Sequence, residues 1–192
     1  MNEAAIVLDV ATRLETRLRA ETDIEVVLTR RDDVYLPLRA RTSLASCVGA
    51  DLFLSIHANA SRNQVAGGIA TYRLRGPAAT ASDPQTSFPG RSYSPRRSRD
   101  LAELVQQHLI EGVRELHPGA QDMGVKRGKF HVLLEATMPS VLTEISFLTN
   151  EREAALLSTD AYLDQISEAL LHSILEYQQA LTLSPRVSAN GN

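Results

Sequence analysis

A chain of 192 residues, 43% of them hydrophobic, is long enough for one α/β domain with a sizeable core and too short for two domains of typical size. Its 20 basic and 23 acidic residues leave a net charge of -3, which excludes the global positive field that holds nucleic acid or an anionic membrane. There is no run of 18 or more apolar residues, and no basic segment followed by an apolar run near the start. Neither a membrane span nor a signal peptide is therefore expected.

Val7, Val10, Ala11, Leu14 and Leu18, spaced by three and four, predict an amphipathic helix over residues 3–20. The β-branched stretch 24–29, closed by Asp32 and Asp33, reads as a strand. Residues 37–48 suit a helix with Pro37 in its first turn and Gly49 at its end. The lone Cys47 falls in an apolar part of that helix and is expected to be buried; with no second cysteine it makes no internal disulfide. The nearly continuous apolar run 51–57 has the pattern of a strand buried on both faces of a parallel sheet, and 65–74 reads as another strand.

From 75 to 99 the composition shifts to Gly, Pro, Ser, Thr and Arg, which predicts a flexible surface excursion. Helical periodicity returns with Leu101, Leu104, Val105, Leu109, Val113 and Leu116 and stops at Pro118-Gly119. Short strands are expected at 130–133 and 140–145, and a final helix at 159–181, with residues 182–192 as a disordered tail. Alternating strands and helices predict an α/β domain over residues 1–181, a mainly parallel sheet covered on both faces.

In such sheets ligands bind beyond the carboxyl ends of the strands. Two predicted strands end on ionisable residues there, one on His57 and the other on Glu144. An imidazole beside a carboxylate suggests metal-assisted hydrolysis, because imidazole binds zinc and a nearby carboxylate can take a proton from the water that the metal activates. By position alone each residue also has a plainer reading: a solvated His at a strand end, and an exposed Glu near the first turn of the next helix. No phosphate-binding glycine loop, HExxH or GxSxG occurs. His108, His117 and His172 fall at polar helical positions and are expected to be solvated, while His131 reads as a packed or edge residue. Arg91, Arg96, Arg97 and Arg99, with Tyr93, form a basic cluster that a solvated loop accounts for, although it could touch an anionic polymer.

DLFLSIHANA (51–60) is similar to the segment of zinc-dependent N-acetylmuramoyl-L-alanine amidases, the bacterial cell-wall amidase family, that contributes a histidine zinc ligand, here His57. MPSVLTEISFLTN (138–150) resembles the segment that carries the family's catalytic glutamate, here Glu144. Between and around them VVLTR (26–30), Arg41, the glycine pair with Tyr72 (67–72) and VKRGKFHVL (125–133) follow in the family's order. The likeness extends to about Tyr177. It also implies that Glu3, in NEAAIVLDVA (2–11), is a zinc ligand opening the first helix.

The resemblance implies an enzyme that uses Zn2+ to hydrolyse the amide between N-acetylmuramic acid and L-alanine in peptidoglycan. Its implied setting is periplasmic or extracellular, with peptidoglycan as partner, an activator protein possible, and a monomer expected. The family's other histidine ligand lies in a Gly-His-Gly loop after a first strand. Nothing here matches that loop, so an N-terminally truncated domain lacking the first strand is expected, with weak zinc binding and little activity. The alternatives are a catalytically dead peptidoglycan-binding relative and a zinc-free interaction domain.

Overall fold

The computed structural model describes residues 2–74 and 94–183. The elements run α1 (Glu3–Glu21), α2 (Leu38–Cys47), β1 (Phe53–Asn59), β2 (Ile69–Leu74), α3 (Pro95–Leu116), β3 (Asp122–Gly128), α4 (His131–Glu135), β4 (Ser140–Phe147), α5 (Glu151–Leu157) and α6 (Asp160–Leu183).

Helix α1 starts where the Asn2 side chain accepts a hydrogen bond from Ala4 N–H, satisfying one of the donors that a helix start leaves free. Its face of Ile6, Val10, Leu14 and Leu18, each one turn on from the last, is buried. Helix α3 starts on Ser94, whose side chain accepts from Arg97 N–H, with Pro95 in the first turn. Leu101, Val105, Leu109 and Val113 then turn inward. A Cβ on Gly112 would stand 3.2 Å from Ala169 Cβ, so the bare glycine lets α3 and α6 pack closely.

The sheet has the order β1-β4-β2-β3. β1 runs parallel to β4, and β2 parallel to β3, while the two pairs meet along an antiparallel seam between β4 and β2. Period-two alternation sends Val141 and Ile145 to one face, where α1, α3 and α6 build the large core. It sends Leu142 to the other face, where Phe53, Ala45, Val132, Leu133 and Met138 form a smaller cluster under α2 and α4. The mainly parallel α/β sheet with helices on both faces is thus the observed architecture.

Several local expectations change. Residues 24–29 are extended, and Ile24 and Val26 pack against the large core, yet they form no strand, because no described strand lies alongside to complete a ladder. Residues 131–133 lie in α4 rather than a strand: their apolar side chains dock on the small core as one helical turn. The 75–99 excursion ends earlier than composition suggests. Residues 75–93 lie outside the described residues, whereas 95–99 are the first turns of α3. The final helix runs on through Thr182 and Leu183, so of the predicted tail only 184–192 lies outside the described residues. β3 and α5 went unpredicted, and Cys47 is exposed at the end of α2 because the inward positions there are Thr42 and Ala45.

Candidate functional site

In the parallel ladder His57 pairs with Glu144 across β1 and β4, as Phe53 pairs with Ser140 four residues earlier. Partners in register stand on the same face, so both side chains emerge on the α2/α4 side, in the carboxyl-terminal halves of their strands, which run on to Asn59 and Phe147 rather than ending on His57 and Glu144. The small core fills that face only below them; Leu142, two residues before Glu144, is its last β4 member.

Glu3 approaches from the first turn of α1. Its Oε1 lies 2.9 Å from His57 Nδ1 and accepts a hydrogen bond from Ala58 N–H at 3.2 Å. β1 is an edge of the described sheet, and residues 53 and 59 turn their backbone groups to β4, so by alternation the Ala58 amide faces the open side, free for this contact. Both side chains remain open to solvent, at 38% for His57 and 41% for Glu3. A helix start and a strand end 54 positions apart in sequence therefore present an imidazole nitrogen and a carboxylate oxygen side by side.

Glu144 differs in that its Oε2 is buried and has no hydrogen-bond partner. Burial raises its pKa, and the nearby negative charge of Glu3 raises it further, to about 7. A carboxyl group tuned there exchanges a proton readily near neutrality, the property required of a general base and acid. Tyr72 on β2 stands beside it, and its phenol is pushed upward by burial and by the Glu144 carboxylate.

The other singled-out residues do not join this group. His117 is buried rather than solvated, with Nδ1 unpartnered, and burial followed by the Arg152 charge lowers its pKa. His108 pairs with Glu176 at 2.8 Å between α3 and α6, His172 is exposed beside it, and His131 is exposed at the start of α4. Arg96 and Arg99 reach Asp100 and Glu103 on α3 itself, whereas Arg91 and Tyr93 lie outside the described residues.

Sequence reasoning missed two participants. Glu153, 5% exposed, accepts from Gly68 N–H at 2.7 Å and Phe147 N–H at 2.6 Å, tying the approach to β2 to the end of β4. Its position three residues after the cap Asn150 was a legible helix-start signal. Gly67 makes that close passage possible, since a Cβ there would lie 2.5 Å from Glu153 Oε1, while Gly68, at φ +115°, lets the chain pass Gln121 O, 2.5 Å from where its Cβ would stand. The second is Lys126, whose Nζ stands 5.9 Å from the centre of the Tyr72 ring.

Among the described residues no group of three or more His, Cys, Asp or Glu side chains is arranged to hold a metal. The chemistry of the pair at the rim nevertheless suits zinc, which takes imidazole nitrogen and carboxylate oxygen.

Comparison with known proteins adds the wider setting. The family described as N-acetylmuramoyl-L-alanine amidase matches residues 1–176. The chain is 33% identical over 175 residues to N-acetylmuramoyl-L-alanine amidase LytC of Bacillus subtilis, covering 91% of this chain but only 31% of LytC. Its fold is similar to the solved N-acetylmuramoyl-L-alanine amidase from Clostridium difficile 630, with a TM-score of 0.78 and 31% identity over 94% of this chain and 86% of that one. It is also similar to the CwlD amidase of Clostridioides difficile, solved in complex with the GerS lipoprotein, with a TM-score of 0.77 and 25% identity over 94% and 88% of the two chains.

Proposed function

Because the chain belongs to the N-acetylmuramoyl-L-alanine amidase family, we propose that it is a cell-wall hydrolase that cuts the amide between the lactyl group of N-acetylmuramic acid and the L-alanine of the stem peptide. The observation that carries this reading is Glu144: a partly buried carboxyl with a free oxygen, in register with His57 and charge-coupled to Glu3.

Glu3 and His57 would hold the zinc ion, as two of the three protein ligands that a catalytic site uses. When bound there, zinc supplies Lewis-acid polarisation of the scissile carbonyl and acidifies the attacking water. Glu144 would accept a proton from the attacking water as the carbon–oxygen bond forms. It then returns the proton to the departing nitrogen as the carbon–nitrogen bond breaks, leaving a lactyl carboxylate and a free L-alanine amine. Glu3 fixes the imidazole and the Ala58 amide, so the strand end cannot swing away from Glu144.

This reading places the protein in the cell envelope with peptidoglycan as its substrate. A lipoprotein bound to the similar CwlD supports an activator as a further partner. The two-donor set is the one observation that favours a peptidoglycan binder with little turnover.

Incubating the purified, zinc-supplemented chain with cell-wall sacculi decides between them. Hydrolysis yields peptides with a free N-terminal L-alanine and no new reducing sugar ends, whereas sedimentation with sacculi without peptide release identifies a binder. Glu3→Gln should weaken zinc affinity by at least about tenfold in a chelator competition. Unchanged affinity would remove Glu3 from the ligand set.

A further inference from the structure

The face that carries Glu144 continues past the reacting groups onto β2 and β3. Tyr72 stands opposite Leu142 across the seam, and Lys126 stands opposite Tyr72 in the next ladder. Register partners share a face and alternate residues return to it, so Leu142, Glu144, Tyr72 and Lys126 all stand on the site side of the sheet. Arg127 follows the opposite alternation, opposite Arg73.

Lys126 is half-buried in this row, and among the described residues no carboxylate pairs with it. Its Nζ lies 5.9 Å from the Tyr72 ring centre, at the outer limit of about 6 Å for a cation over an aromatic face. Tyr72 is held in turn by Phe130, edge-on at 5.0 Å. The stem is thus steadied while the ammonium keeps its hydrogen-bond donors for something else.

The spacing defines what that is. Two strand separations and a two-residue offset put the Lys126 and Glu144 Cα atoms roughly 12 Å apart, and the two long side chains close part of that gap. A substrate bridging them has its reacting amide at Glu144 and an anion several ångströms further along the peptide. In a stem peptide, the residue after the L-alanine is acidic and is joined onward through its side-chain carboxyl, which leaves its α-carboxyl free. That group sits roughly 5 to 7 Å from the scissile nitrogen, about one and a half residues of extended chain.

We propose that Lys126, steadied over Tyr72, is a carboxylate subsite that recognises the free α-carboxyl of the acidic residue following the L-alanine. The subsite rests on the amidase reading for the identity of its ligand and selects stems in which that carboxyl is not amidated. It is a specificity determinant rather than a participant in proton transfer.

Binding, not turnover, tests it. Two soluble muramyl tripeptides, both with an amidated C-terminus, serve as ligands: one with the α-carboxyl of the second residue free, the other with it converted to the carboxamide. Isothermal titration calorimetry on the full chain should show the free form binding about tenfold more tightly, the scale of one charge-assisted hydrogen bond. Lys126→Met should erase the difference by weakening only the free form, and Lys126→Arg should keep most of it, with circular dichroism confirming that both variants are folded. Equal binding of the two ligands by the unaltered chain, no binding of either, or a preference that survives Lys126→Met would each overturn the proposal. A Lys126-dependent preference in a protein that releases no peptide from sacculi would instead leave the subsite standing and sink the hydrolase reading.

Discussion

Glu15 on α1 and Glu144 on β4 are the same residue type, both drawn out of water, and the chain surrounds them in opposite ways. Glu15 is 6% exposed and fully answered: Arg31 grips it with two hydrogen bonds, at 2.6 and 2.8 Å, and Arg19 adds two more, at 2.9 and 3.2 Å. These guanidinium groups hold its carboxyl below the usual range. Glu144 has a buried oxygen with no partner, and its proton is retained up to about 7. The first arrangement fixes α1 to the segment that follows it. The second leaves a carboxyl unanswered, the setting in which we propose that it transfers protons.

The comparison breaks if the two residues can be exchanged in their effects. The largest difference is expected for Glu144→Gln, which should lower peptide release by about 10²- to 10⁴-fold, the usual worth of a general base. Thermal stability should hold or rise, because the buried oxygen loses no partner. Chromatography of released peptides and a melting curve on the same preparation read both. Undiminished release would take Glu144 out of the mechanism.

Glu15→Ala should do the reverse, costing about 1–2 kcal/mol in urea unfolding while leaving turnover per folded molecule unaltered. The figure stays modest because both arginine partners are more than half exposed and can return to water. A loss of turnover as large as that of Glu144→Gln would erase the distinction.

The smallest effect is in the pH dependence of stability, measured with a chelator present. Glu144 has a folded pKa above its ordinary 4.5, so the unfolded chain ionises first and stability falls as pH rises from 4.5 to about 7. Glu15 is shifted the other way, so its contribution is full above 4.5 and is lost as pH falls through its lowered value. The two slopes therefore have opposite signs in separate pH windows. Glu144→Gln should flatten only the upper window and Glu15→Gln only the lower; a single variant that flattens both would show the two sites to be coupled.

How much of this was readable from the chain depended on where the information resides. β1 and β4 were legible because a buried parallel strand writes itself as an apolar run, and the ionisable residue late in each run pointed to the rim, although the strands continue to Asn59 and Phe147. Residues 24–29 carry the same local signature, but a strand is a relation between two segments, and no described neighbour completes this one. The turn at 131–133 is too short for periodicity to tell helix from strand, and docking on the small core decided it. The start of α3 was written in Ser94-Pro95, but the surrounding glycine, proline and arginine content masked it. The contact between Glu3 and His57 spans the first helix and two later elements, so no local pattern holds it, and only the family resemblance pointed to Glu3.

The antiparallel seam has a consequence for engineering. Because β1 and β4 end on the rim where β2 and β3 begin, the connections 60–68 and 117–121 reach the same rim as His57 and Glu144, alongside the exit from β4. The connections 48–52, 129–130 and 136–139 attach to the opposite rim, as does Leu74, where β2 ends. Loop grafts or randomised libraries meant to alter which polymer is gripped belong in the first set. Affinity tags, cross-linking handles and permuted termini belong at 48–52 and 136–139 in the second, where a change of length begins more than half a strand from His57 and Glu144 and leaves Phe130 against Tyr72.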